Sequence, residues 1–230
     1  RMIHMKINKD VIVYPRKTIS YDFQTLLEYS NSYFFDVESL LSFDQKQELS
    51  SGELLPLKPI IAIMGIVDSN KKYKGFTLEN YSSDSEVKII KDFFNYIESE
   101  EKTILFHWGN AEKAYINYIQ KRYPEIKIPN IELVDLLYYF KKEPIVIQGI
   151  FSFGLKHVAK HLYNHGLIQT TWDDYDNGLD SMIIFQNICQ NHSKNIPLKR
   201  VYEIKQIIDY NEVDCQVLYE IVSMLKNRYL

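Results

Sequence analysis

Between Pro59 and Val67 the chain reads Pro-Ile-Ile-Ala-Ile-Met-Gly-Ile-Val, an unbroken apolar run. It is much shorter than the roughly 18 apolar residues a membrane-spanning helix needs, and it lacks the alternation of a half-exposed strand. Such a run is a strand buried on both faces, so a sheet core begins here. Its neighbours supply the other strands. Tyr33 to Val37 is short, aromatic and β-prone, and Lys71 to Leu78 reads as a hairpin partner across the turn Asp68-Ser69-Asn70. Thr103 to Phe106 and Ile131 to Val134 read as two more strands. Between them, Ser83 with Glu86 forms a capping box before Val87, Ile90, Phe94 and Ile97, which predicts a helix to about Glu98. Gly109-Asn110 opens a second helix that Pro124 stops near Tyr123, and further helices start near Asp135, Phe153 and Leu179. The last helix carries Val201, Ile204, Ile208, Asn211, Cys215, Leu218, Val222 and Leu225 as one mostly apolar stripe. Strand–helix alternation of this kind is the α/β rhythm.

At 230 residues, with 46% hydrophobic and 25% charged residues, the chain is of ordinary globular composition and fits one domain with an appendage. Residues 1–32 form that appendage, with an apolar stretch Val11 to Tyr14 stopped by Pro15 and a helix from Tyr21 to Tyr29; residues 33–230 form the domain. No membrane segment is expected, and the chain reads as soluble and intracellular, whether cytoplasmic, nucleoid-associated or nuclear. Cys189 and Cys215 are too few and too isolated for a disulfide framework or a zinc knuckle. A net charge of −3 excludes a globally basic field, so nucleic-acid binding has to be local or metal-mediated.

Three acidic features stand out. Asp36 and Glu38, two apart on the aromatic strand, point to the same face of the sheet. They read either as a solvated strand end or as a paired site. His107-Trp108-Gly109-Asn110-Ala111-Glu112 follows a strand, with Asn110 as N-cap and Glu112 in the first helical turn, where an acid also simply complements the helix dipole. Tyr210 and Asp214, four apart, share one face of the last helix, where an interior Asp is unfavourable.

In this order and on these elements, the three features resemble the DEDD superfamily of 3′–5′ exonucleases. Its Asp-x-Glu motif is matched by Asp36 and Glu38, its His-Asn-x-x-x-Asp motif by the spacing of His107 and Glu112, and its Tyr-x-x-x-Asp motif by Tyr210 and Asp214. More narrowly, FFDVES, LFHWGNAEK, ELVDLLYYF, FGLKHVAKHL and YNEVDC, over residues 33–226, look like the ribonuclease-H-like domain found alone or fused to RecB-like nuclease modules. Glu112 stands where the second motif usually has Asp, one methylene longer, as is common in this narrower group. The resemblance implies a ribonuclease-H-like α/β fold, a mixed central β-sheet flanked by α-helices. It implies two Mg²⁺ or Mn²⁺ ions on Asp36, Glu38, Glu112 and Asp214, with Asp36 bridging and Tyr210 orienting the attacking water. It further implies nucleic acid with single-stranded 3′ ends as partner, contacted by His107, Trp108, Asn110 and Lys156.

The chemistry is consistent with that set, because phosphodiester hydrolysis by two ions about 3.5–4 Å apart needs hard carboxylate ligands. The segment Gly149 to Lys156 only superficially resembles a phosphate-binding loop: it lacks the following Ser or Thr and has an aromatic interior, so it reads as a helix start. His157, His161 and His165 are accounted for by helix capping and dipole, with Gly166 as C-cap, and not by zinc. Trp172-Asp173-Asp174-Tyr175-Asp176 reads as a solvated turn. Besides an exonuclease, a structure-specific endonuclease and an inactive binding module remain compatible with the same fold.

Overall fold

The computed structural model describes residues 13–15, 19–41, 59–172, 178–191 and 197–230. A five-stranded sheet organises them. Its strands are β2 (Ser32–Leu41), β3 (Pro59–Val67), β4 (Tyr73–Thr77), β5 (Thr103–His107) and β6 (Ile131–Asp135), after a short β1 (Val13–Tyr14) that lies elsewhere. The spatial order is β4-β3-β2-β5-β6; β3 runs antiparallel to β2 and β4, whereas β2, β5 and β6 are mutually parallel. The mixed sheet anticipated from the sequence is therefore present, and β3 lies inside it, with every residue from Ile60 to Val67 buried.

Strand alternation divides the core into two. Phe35, Val37 and Leu105 pack on one face with α2 (Ser83–Ile97), α3 (Ala111–Arg122) and Phe185 of α6 (Gly178–Asn191). Phe34, Ile104 and Phe106 pack on the other with α1 (Tyr21–Glu28), α4 (Leu136–Lys142), α5 (Leu155–Asn164) and the greater part of α7 (Tyr202–Tyr229). Phe34 and Phe106, adjacent on parallel strands, stack at 5.6 Å between ring centroids. α7 is buried over a broader arc than its apolar stripe suggests, since Tyr210, Asp214 and Glu220 are buried too. β1 pairs antiparallel with β7 (Val146–Ile147), and Val13, Ile19, Phe23 and Leu27 are buried in the second core. Val11, Ile12 and residues 173–176 lie outside the described residues.

Two local expectations are corrected. The N-cap of α2 is Ser82, whose Oγ accepts the Ser85 N–H at 3.2 Å, and Glu86 does not fold back on the helix start. Its wholly buried carboxylate accepts the Ile61 N–H at 2.9 Å and the Tyr123 hydroxyl at 2.5 Å, with Arg122 Nη2 at 3.6 Å. A buried carboxylate is stable only when its oxygens are bonded, and the N–H it finds belongs to Ile61, beside the point where β2 and β3 shift register between Glu38 and Ser39. The second correction is that Asp36 and Glu38 do not end their strand, because pairing with β3 carries β2 on to Leu41.

Candidate active site

Asp36 and Glu38 project from the middle of β2 on the face that α7 covers, and Glu38 lies beside the point where β3 carries one extra residue, Ala62, against β2. Asp214, from the middle of α7, meets them. One carboxylate oxygen from each of Asp36, Glu38 and Asp214 lies within 4.8 Å of the others. Asp36 and Glu38 are half-buried and Asp214 is buried. Glu112 joins from the first turn of α3, 5% exposed, and acts electrostatically on all three. Its burial removes the surface-dipole explanation. His107, at the end of β5, is buried with it, and its Nδ1 lies 3.2 Å from Glu112 Oε2, so this histidine holds the acid in place.

The acids are in conflict without a cation. Burial, then repulsion from Asp214, Glu38 and Glu112, holds the Asp36 carboxyl well above the usual range. Burial and Glu38 do the same to Asp214, against the pull of Lys156. Glu38 is pushed up to about 7 by burial and by Glu112, again opposed by Lys156. Clustered carboxylates with raised pKa values and a converging set of hard oxygens fit a divalent cation, which would reverse that repulsion. Among the described residues no other group of three or more potential ligands converges this way. His161 and His165 stack at 4.5 Å, His165 Nδ1 lies 3.1 Å from the His161 carbonyl oxygen, and Gly166 follows α5 with φ 68° as a helix-terminating residue.

Around the acids sit aromatic and basic groups. The Lys156 ammonium, in the first turn of α5, lies 4.7 Å from the centroid of the Tyr210 ring and 5.8 Å from that of Trp172. Tyr210 is buried one turn before Asp214. Trp172 has a buried indole nitrogen that favours the charged form of Asp214 but makes no hydrogen bond of good geometry. Trp108 donates its indole N–H to the Phe153 carbonyl at 2.9 Å, which ties the β5–α3 loop to the segment before α5. Phe151, on that segment, is fully exposed. Asn110 occupies the N-cap position of α3 without a capping bond from its side chain, because its backbone is already helical at ψ −6°. Asp135, a neighbouring acid, accepts the Gly109 N–H at 2.8 Å and so shapes that loop.

Two residues that single-sequence reasoning did not find complete the site. Asn211, read from the sequence as part of an apolar stripe, is wholly buried and donates Nδ2–H to Asp36 Oδ2 at 2.7 Å. Tyr73 of β4 donates its hydroxyl to Asn211 Oδ1 at 2.9 Å. The only sequence signal was an amide among apolar positions on a helix.

A five-stranded mixed sheet flanked by helices, with carboxylates from its central strand and a late helix meeting on one face, defines a ribonuclease-H-like domain. A family model described as the RNase_H superfamily matches residues 51–226, and the chain belongs to that superfamily. Glu112, Tyr210 and Asp214 fall inside the match, and Asp36 and Glu38 precede it. Among solved structures, RNase D of Trypanosoma brucei is similar at 14% identity, with a TM-score of 0.43 over 86% of this chain and 59% of that one. Its complex with RNA U12 gives 0.42, at 14% identity, over 91% and 58%, and its GMP complex 0.44, at 14% identity, over 91% and 53%. The chain thus spans between half and two thirds of the length of those structures. No curated protein matches the sequence.

Proposed function

We propose that this chain is a metal-dependent nuclease that removes nucleotides from single-stranded 3′ ends of nucleic acid. The observation that carries the reading is the meeting of Asp36, Glu38 and Asp214 oxygens within 4.8 Å, with buried Glu112 beside them. Two bound Mg²⁺ or Mn²⁺ ions would supply a hydroxide at neutral pH and stabilise charge on the leaving oxygen. Asp36 would bridge the two positions, Glu38 and Asp214 complete the nucleophile side, and Glu112, steadied by His107, serve the leaving-group side. Tyr210 would orient the attacking water and Lys156 reach a backbone phosphate. Trp108 and Asn110 border the same loop and would contact the substrate strand.

An exonuclease and an endonuclease are distinguished by topology of the substrate. With 5′-labelled linear single strands in Mg²⁺, products should shorten by single nucleotides from the 3′ end, and circular single strands should survive. Cleavage of circles would assign an endonuclease, and no cleavage of DNA or RNA in either ion would leave a binding module.

Tyr210→Phe should lower kcat on the order of 10²-fold with KM little changed, because the attacking water loses its orientation while no substrate contact is lost. Turnover equal to that of the wild type would reduce Tyr210 to a packing residue beneath Lys156.

A further inference from the structure

A carboxylate that is to bridge two cations has to present both oxygens in a fixed plane, and the bond that orients Asp36 comes from a neutral amide. Asn211 Nδ2 donates to Asp36 Oδ2 at 2.7 Å, and Asn211 Oδ1 in turn accepts the Tyr73 hydroxyl at 2.9 Å. With Asp36 ionised, as cation binding requires, the amide stands this way round, because a carboxylate only accepts and the phenol can donate to Oδ1. A neutral donor orients Asp36 without adding the positive charge that would repel a cation.

The sheet is shaped around this bond. Gly65 lies opposite Asp36 in the β2–β3 register, and a Cβ there would stand 1.6 Å from Asn211 Oδ1. Gly75 lies opposite Gly65 in the β3–β4 register, and a Cβ there would stand 2.6 Å from the Tyr73 hydroxyl. Glycine inside a strand weakens it, so two in register mark a close approach, here of the amide and the phenol to the sheet.

We propose that Asn211, locked by Tyr73 in the lane left by Gly65 and Gly75, is a positioning residue that fixes the Asp36 carboxylate for divalent-cation binding. This rests on the metal-dependent reading of the site. Partners of a metal ligand typically account for about 10–100-fold in metal affinity. Mn²⁺ titration by calorimetry on the metal-free protein tests it without reference to activity. Asn211→Leu, similar in volume, should weaken Mn²⁺ binding by about 10–100-fold, and Tyr73→Phe should weaken it in the same direction by less. Val222→Ala, a fully buried position on α7 beyond the site, should lower the melting temperature but leave the Mn²⁺ isotherm unchanged. Wild-type affinity in both Asn211→Leu and Tyr73→Phe would overturn the inference while leaving the metal site standing. Should Asn211→Leu not fold, wild-type affinity in Tyr73→Phe alone would overturn it. Equal weakening in Val222→Ala would reduce the effect to general destabilisation and overturn it as well. No Mn²⁺ binding by the wild type would remove the metal site itself, and the inference with it.

Discussion

Asp36→Asn is expected to abolish hydrolysis in both Mg²⁺ and Mn²⁺ and to leave the fold intact. The rate loss should be several kcal/mol in barrier, about 10³-fold or more, because the residue proposed to bridge both cations becomes a neutral ligand. Folding should not suffer, since Asn at this position still accepts the Asn211 amide through its oxygen. The metal-free variant should in fact be more stable than the wild type above neutrality. Asp36, Asp214 and Glu38 all titrate higher in the folded protein than in the unfolded chain. The folded state therefore binds more protons, and stability present in acid is lost as the pH rises through the folded values. For Glu38 that window opens near the ordinary 4.5 and closes at about 7. A tenfold difference in proton affinity between the folded and unfolded chains corresponds to about 1.4 kcal/mol, so thermal melts from pH 5 to pH 8 should show a smaller loss in the variant than in the wild type. Hydrolysis retained in Asp36→Asn with Mg²⁺ would contradict the metal assignment.

Glu112 separates a ligand from a scaffold residue. If it serves a cation, Glu112→Gln should reduce turnover on the order of 10²-fold, whereas Glu112→Asp should retain a fraction that rises in Mn²⁺. The shorter side chain is better accommodated there than in the strict octahedron of Mg²⁺. If it were only a buried scaffold partner of His107, either change would lower the melting temperature and leave turnover alone. Activity and melting temperature measured on both variants decide between these. Full activity in Glu112→Gln would require another fourth acid, and Asp135 is a poor substitute because its Oδ1 is committed to the Gly109 N–H.

What was legible from the sequence was what depends on neighbours along the chain. The apolar run of β3, the amphipathic face of α2 and the long α7 are encoded in consecutive residues, and they formed close to their expected bounds. Tyr210 and Asp214 were placed on one face by helical spacing, and both are buried there. What escaped depends on pairing across the chain. β1 and β7 are two residues each, and only the contact of Val13 with Ile147 and Tyr14 with Val146 makes them strands. Ser83 and Glu86 imitate a capping box, but the carboxylate bonds the Ile61 N–H of a strand distant in sequence. Asn211 acquires its role only when β2 brings Asp36 beneath it, β4 brings Tyr73 alongside, and Gly65 leaves room.

Asp36, Glu38, Glu112 and Asp214 are proposed together to hold two divalent cations, and a crystal structure of the protein soaked in Mn²⁺, with anomalous scattering measured at the manganese edge, would show them. Two anomalous peaks about 3.5–4 Å apart, both touching Asp36 and one reached from Glu112 directly or through water, are expected. No peak at these carboxylates, at Mn²⁺ concentrations that saturate activity, would contradict that proposal.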